Sequence, residues 1–385
     1  MADVRGVIDW LVRGVPGAKT ALEVVAKMCP DLVAAGLPLD RCEAMVRTLH
    51  PQIAGRHFHW QPDRTATVTD RSFEELHSPE MASFAVMSVF ATHGATRRRL
   101  VPAPREPDLA GLAAEGYTDW FAGPLAFITG EIHAITFATK RPGGFTDRDL
   151  EDLASVLPPL SRIAETLALL RTATNLLNTY VGHDAGARIL AGQIQRGHVS
   201  GIHAVIWFSD LRGFTAMSSS RSPSEIVATL NDVFDCQVPA IEAHGGEVLK
   251  YMGDGMFAIF PCDHHDRGQR CDDALLAAIE SQKALAELNA RRTAAGKDAV
   301  RFGVALHVGD VSYGNIGGAN RLDFTCIGAA VNLAARLQGI TGQLGRDIVV
   351  SAEVAGACSA RLEDLGAFAL KGVTDAAKAF GLPKR

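Results

Sequence analysis

Between residues 203 and 350 the chain alternates short apolar runs with long amphipathic ones, and that order restricts the topology it can adopt. His203-Ala-Val-Ile-Trp-Phe208 reads as a buried strand. Ser222-Pro-Ser-Glu225 opens a helix, with a serine cap, proline at the first position and a glutamate completing a capping box. That helix is expected to run to about His244. Glu247 to Lys250 and Met256 to Phe260 form a hairpin around Gly253-Asp254-Gly255. A long helix follows over 268–295, then a strand Val300 to Val308, a helix Ala329 to Gln338 and a strand Asp347 to Val350. The order is β-α-β-β-α-β with additions, the ferredoxin-like version of an α+β fold.

The residues before this pattern divide differently. Arg56 to Trp60 and Thr65 to Thr69 look like one strand pair. Ile128 to Ala138 looks like another, folded around Gly130, and Met81 to His93 looks helical. A long helix begins at Thr146, a suitable cap with Asp147 and Asp149 in the first turn. Leu150, Leu153, Leu157, Leu160, Ala164 and Leu167 recur at steps of three and four. Such a stripe serves either the helix's own domain or a parallel partner helix. Pro158-Pro159 is expected to bend or restart the helix. Glycines from Gly182 to Gly192 break the segment Leu177 to Val199 into helical pieces. The resulting division is a first α+β domain over 1–170, a helical linker over 171–200 and a second domain over 201–385.

Composition excludes several classes. The chain has 385 residues with 38 Lys and Arg against 43 Asp and Glu, so no basic domain invites nucleic acid. No run approaches the roughly 18 consecutive apolar residues of a membrane helix, and the first 20 residues lack the pattern of a secretory leader. Seven cysteines are scattered without a CxxC pair, which fits reduced thiols in a cytoplasm better than a disulfide framework.

Two acids stand where the pattern brings strand ends together. Asp210 ends the first strand in Phe208-Ser-Asp-Leu-Arg-Gly-Phe-Thr215, and Asp254 sits at the hairpin tip in Lys250-Tyr-Met-Gly-Asp-Gly255. Neighbouring strands would place both carboxylates at one edge. Oxygen donors there suit a hard divalent cation that keeps open positions for phosphates. The flanking glycines let backbone approach a ligand closely. Asp-Gly alone is also an ordinary hairpin tip, so it is the pair that points to chemistry. No GxxxxGK[ST], GxGxxG or GxSxG motif occurs.

Together with Thr325-Cys-Ile-Gly-Ala-Ala-Val-Asn-Leu-Ala-Ala-Arg336, these stretches resemble the class III adenylate/guanylate cyclase catalytic domain over about 201–382. The resemblance implies that Asp210 and Asp254 hold two Mg²⁺ or Mn²⁺ ions per active site. It implies that Asn332 orients the ribose and Arg336 neutralises charge developing on the phosphates. Their spacing of four puts both on one helix face. Lys250 matches the purine-reading lysine, with Thr325 in its partner position. Many relatives have Asp there, and Thr is similar to the subgroup described as bicarbonate-responsive. Lys with Thr favours ATP over GTP. Asp323, two positions away, is expected to have the wrong spacing to substitute. Phe214 and Thr215 match substrate-binding positions, and Lys371 in Leu370-Lys-Gly-Val373 matches a late phosphate-binding lysine. Cys326 is expected to pack as a small apolar residue. The implied enzyme is a homodimeric adenylate cyclase whose sites are shared between chains. The alternatives are a guanylate cyclase and a degenerate nucleotide sensor. A diguanylate cyclase would carry GG[DE]EF where this chain has Met252-Gly-Asp-Gly-Met256.

Residues 117–165, from Tyr117-Thr-Asp-Trp120 through Gly144-Phe-Thr-Asp-Arg-Asp149 to Ile163-Ala-Glu165, are similar to the close of a GAF-type sensor domain. A sensor ahead of a cyclase implies an unidentified small-molecule effector that biases the geometry of the dimer. His57 and His59 are taken to point to opposite sides of their strand, against joint binding of one metal. Arg97-Arg98-Arg99 reads as a solvated charge cluster.

Overall fold

The computed structural model describes residues 3–14, 17–48, 53–372 and 376–384. The chain divides into two compact units, Met1–Leu176 and Leu177–Arg385.

The first unit is built on six strands: β1 (Arg41–Arg47), β2 (Gly55–Trp60), β3 (Thr67–Arg71), β4 (Thr96–Arg99), β5 (Asp119–Ala126) and β6 (Ile132–Thr139). They pair antiparallel in the order β3-β2-β1-β6-β5-β4. One face buries Cys42, Ala44, Phe58, Ile135 and Phe137 against Leu11, Met28, Leu32, Leu153, Leu157 and Leu160. These partners come from the helices Arg5–Arg13, Ala21–Ala34 and Asp147–Val181. The leucine stripe of the long helix therefore serves its own domain. The other face buries Ala122, Ala134 and Ala138 against Val86, Val89 and Leu109.

Several expectations are corrected here. The helix Asp147–Val181 continues through Pro158-Pro159. Ala154 and Ser155, whose carbonyls lose their partners, lie on the exposed side, where water can replace the missing bonds. Met81 to His93 is two short helices, Pro79–Ala82 and Met87–Thr92. Between them the Ala85 amide donates to the Asp108 carboxylate (3.1 Å), a tertiary bond that replaces a helical one. The strand expected from Ile128 lies earlier, in β5, and Ile128 is exposed in the turn that Gly130 closes with φ +87°. Arg97 is no solvated charge: it donates to Asp119, which is fully buried, and to the Phe145 carbonyl. His57 and His59 share a side, because residues two apart on a strand face the same way. Both approach Glu43, at 3.5 and 3.1 Å.

The second unit carries β7 (Val199–Leu211), β8 (Glu247–Met252), β9 (Gly255–Cys262), β10 (Phe302–Gly317), β11 (Leu322–Ile327), β12 (Ile348–Ser351), β13 (Glu363–Phe368) and β14 (Ala377–Gly381). The order is β13-β14-β12-β10-β7-β9-β8, with β11 on β10. The four strands at one end, β10-β7-β9-β8, reproduce the ferredoxin-like order, with Pro223–Asp235 and Val238–Ala243 between β7 and β8 and Arg267–Ala294 between β9 and β10. Those helices pack on the face bearing Val205, Trp207 and Phe260. Ala330 and Ala334 of the helix Ala329–Ile340 and Ala185 of the helix His183–Leu190 pack on the opposite face, against Ile206, Phe257 and Tyr313. The helix expected over 222–244 is broken at Cys236-Gln237, just before Pro239, which has no amide to continue the ladder.

Asp147–Val181 is long and apolar enough to cross a membrane by length and composition, and a third of that window is buried. All seven cysteines are free.

Candidate active site

Strand ends of β7, β8, β9 and β11, two helices and a turn hold the residues singled out by sequence. β7 and β9 run antiparallel with Asp210 opposite Gly255, and Asp254 occupies the tight turn from β8 into β9. Gly253 takes φ +66° there, a conformation that costs glycine little. A Cβ on Gly255 would lie 2.8 Å from the Ser209 carbonyl oxygen and 3.3 Å from Asp210 Oδ1, so only glycine brings the hairpin this close.

The two carboxyl groups meet at this edge. Burial, and then the negative charge of Asp254 beside it, push the Asp210 carboxyl up to about 6. Two half-buried carboxylates facing each other form an all-oxygen donor set whose mutual repulsion a divalent cation would relieve. The arrangement fits Mg²⁺ or Mn²⁺. Three residues on, Gly213 enters the left-handed region at φ +74° and starts the helix Phe214–Ser220. Phe214 is partly buried against the core around Trp207, and Thr215 is exposed. The amides of this first turn have no intrahelical acceptor.

Lys250 lies on β8, across a bulge from Val248, and its ammonium pairs with Asp323 on β11. Asp323, set aside on spacing as a stand-in at the Thr325 position, is here the ion-pair partner of Lys250. Asp323 and Thr325 are two apart on one strand and share a face. Thr325 is 8% exposed and stands opposite Gly314 of β10. The signal for Asp323 was available in the period of two along Leu322-Asp-Phe-Thr-Cys-Ile327. Cys326, on the alternate face, packs with Tyr313 and Phe324, and burial pushes its thiol up to about 12, so it is inert as a nucleophile.

Asn332 and Arg336 lie one turn apart on the exposed face of Ala329–Ile340, whose other face buries Ala330, Ala334 and Leu337. Among the described residues neither side chain has a hydrogen-bond or ion-pair partner. Lys371 is exposed beyond buried Leu370. The structure thus brings Asp210 to Asp254 and Lys250 to Asp323, with Thr325 beside Asp323 on its strand. Asn332 and Arg336 remain together on a surface of their own.

Residues 201–382 match the adenylate and guanylate cyclase catalytic domain family. This part of the chain is a cyclase catalytic domain of class III. Over 165 residues the chain is 39% identical to an adenylate cyclase of Anabaena cylindrica, covering 42% of this chain and 32% of that one. Over 285 residues it is 28% identical to adenylate cyclase 1 of Rhizobium meliloti (strain 1021), covering 71% of this chain and 42% of that one. The chain therefore spans about a third to two-fifths of the length of these curated relatives. A solved structure of a bacterial light-regulated adenylyl cyclase is 26% identical, with a TM-score of 0.49 over 58% of this chain and 63% of that one.

Proposed function

We propose that the second unit converts ATP to 3′,5′-cyclic AMP and pyrophosphate, in a homodimer whose two sites are each shared between chains. The observation that carries this reading is the facing pair Asp210 and Asp254, held at one strand edge by a glycine that admits no side chain. Two Mg²⁺ or Mn²⁺ ions bound there would polarise the α-phosphate and acidify the ribose 3′-hydroxyl. The bond formed joins the 3′ oxygen to the α-phosphorus. The bond broken joins that phosphorus to the oxygen bridging to the β-phosphate. Pyrophosphate leaves, and the hydroxyl proton passes to solvent.

The protein's own contribution is positioning and charge. Lys250, oriented by Asp323 and adjacent to Thr325, reads the adenine edge. The free amides at Phe214 and Thr215 and the Lys371 ammonium meet phosphate oxygens. Asn332 holds the ribose, and Arg336 places its planar fork on the phosphate that gains charge. Asn332 and Arg336 are exposed and unpartnered within the described residues, which supports their serving a site completed by a second chain. The names of the two adenylate cyclase relatives support the choice of ATP.

The first unit, a six-stranded antiparallel sheet with helices on both faces, acts in this reading as a GAF-like sensor for a small-molecule effector. The helical segment 171–200 transmits its state. The unpaired cysteines favour a cytoplasmic setting. The test is incubation of purified protein with ATP or GTP and Mg²⁺ or Mn²⁺, with products resolved by chromatography. Cyclic AMP and pyrophosphate in equal amounts are expected. A preference for GTP, or pyrophosphate without a cyclic product, would overturn the reading.

A further inference from the structure

The first unit holds a cavity of about 310 Å³ on the sheet face opposite the long helix. Its body is apolar and soft: Met45, Leu76, Met81, Met87 and Phe90 line it. Methionines adapt their shape to an irregular ligand. Its polar groups are unlike this body. Arg47, Gly55 and Arg71 are consecutive rungs across β1, β2 and β3, and so share one face of the sheet. Two strand spacings put the two arginine Cα atoms roughly 10 Å apart. Between them Gly55 has no side chain, which leaves a notch flanked by two guanidinium groups. His57 lies two residues along β2 on the same face, opposite Met45 and Thr69.

The charges around this notch do not cancel. No Asp or Glu lines the cavity. Arg71 is paired with Glu75 through its terminal nitrogen, and His57 Nε2 faces Glu43 at 3.5 Å, yet Arg71 Nε is buried without a hydrogen-bond partner. Arg47 has no ion pair among the described residues; its guanidinium lies 5.8 Å from the Phe90 ring centre. One uncompensated cation above an apolar body, with an unpartnered guanidinium nitrogen of Arg71 beside it, matches an amphiphile with a single negative charge.

We propose that this cavity binds a monocarboxylate with an aromatic or medium-chain aliphatic body, its carboxylate held between Arg47 and Arg71 across Gly55. A doubly charged phosphate ester would leave one charge unmatched in a largely apolar site. This assigns a chemical class to the effector of the regulatory reading. It depends on that reading only for its consequence, because binding can be measured without nucleotide.

The test is isothermal titration of the full chain with decanoate and with decanol, which share an alkyl body and differ in charge. One decanoate per chain is expected, bound at least about tenfold more tightly than decanol, in keeping with a charge-assisted pair. Arg47→Gln should remove that preference and leave decanol binding unchanged. Ala82→Trp, placed at the exposed rim, should abolish both. Thermal unfolding of each variant confirms that it folds. Equal affinity for the two probes, absence of decanoate binding, or a preference that survives Arg47→Gln would overturn the proposal. Decanoate that binds without altering cyclic nucleotide formation would uphold the site and refute its regulatory use.

Discussion

Asp119 in the first unit and Asp210 in the second are both strand-end acids, and their surroundings are opposite. Asp119 is fully buried and saturated: Arg97 donates to it at 2.6 Å, the Phe145 amide at 2.9 Å and the Trp120 amide at 3.0 Å. Asp210 is half-buried and faces another carboxylate. The same contrast separates the cations. Arg97 and Arg141 are spent on acids of their own domain, whereas Arg336 and Lys371 stand without such partners among the described residues. A satisfied buried charge holds a fold together; an unsatisfied one is available to a ligand.

The largest expected effect breaks this contrast in both directions. Asp210→Asn should lower cyclic nucleotide formation by at least about a thousandfold, since several kcal/mol of charge stabilisation are lost. Without metal, its thermal midpoint should stay the same or rise, because the repulsion with Asp254 disappears. Asp119→Ala should do the reverse. It should cost about 3–5 kcal/mol of stability by stranding Arg97 and the Phe145 amide, and leave the chemistry intact in whatever protein stays folded. Activity assays beside thermal unfolding check both halves.

How much of this was legible in the sequence follows from the reach of each signal. The hairpin around Asp254 and the helices Arg267–Ala294 and Ala329–Ile340 came from local pattern, and the structure agrees closely; Asn332 and Arg336 were singled out by the family resemblance, and their spacing of four set them on one face. β10 was read as Val300 to Val308 but spans Phe302–Gly317, because Gly309 and Gly314 weaken its local pattern while pairing with β7 and β11 sustains it. The Lys250–Asp323 pair joins residues 73 apart: the period of two showed that Asp323 shares a face with Thr325, but not that β8 would bring Lys250 to it. Arg97 likewise depends on a partner beyond local reach, Asp119, 22 residues on. The shared side of His57 and His59 was available from strand geometry alone and was misread.

A smaller effect sharpens the contrast within the first unit. Burial, and then the nearby Arg47 charge, lower His133 to about 4, and its Nδ1 accepts from the Arg47 amide. The folded state therefore keeps His133 neutral while the unfolded chain takes up a proton near 6.5. The stability this confers is complete above about pH 6.5 and is lost progressively as pH falls toward 4. At full extent the loss is up to roughly 3 kcal/mol. Urea unfolding followed by tryptophan fluorescence reports mainly on this unit, which holds Trp10, Trp60 and Trp120. The parent should weaken between pH 7 and 4.5 by more than His133→Gln does.

The central claim is that each site is completed by two chains, one giving Asp210 and Asp254 and the other Asn332 and Arg336. Mixing Asp210→Asn chains with Arg336→Ala chains, each inactive alone, tests it most directly. Random pairing makes half the dimers mixed, each with one intact site of two, so about a quarter of the parent's cyclic AMP formation should return. A mixture that contains mixed dimers and still makes no cyclic AMP would contradict the account.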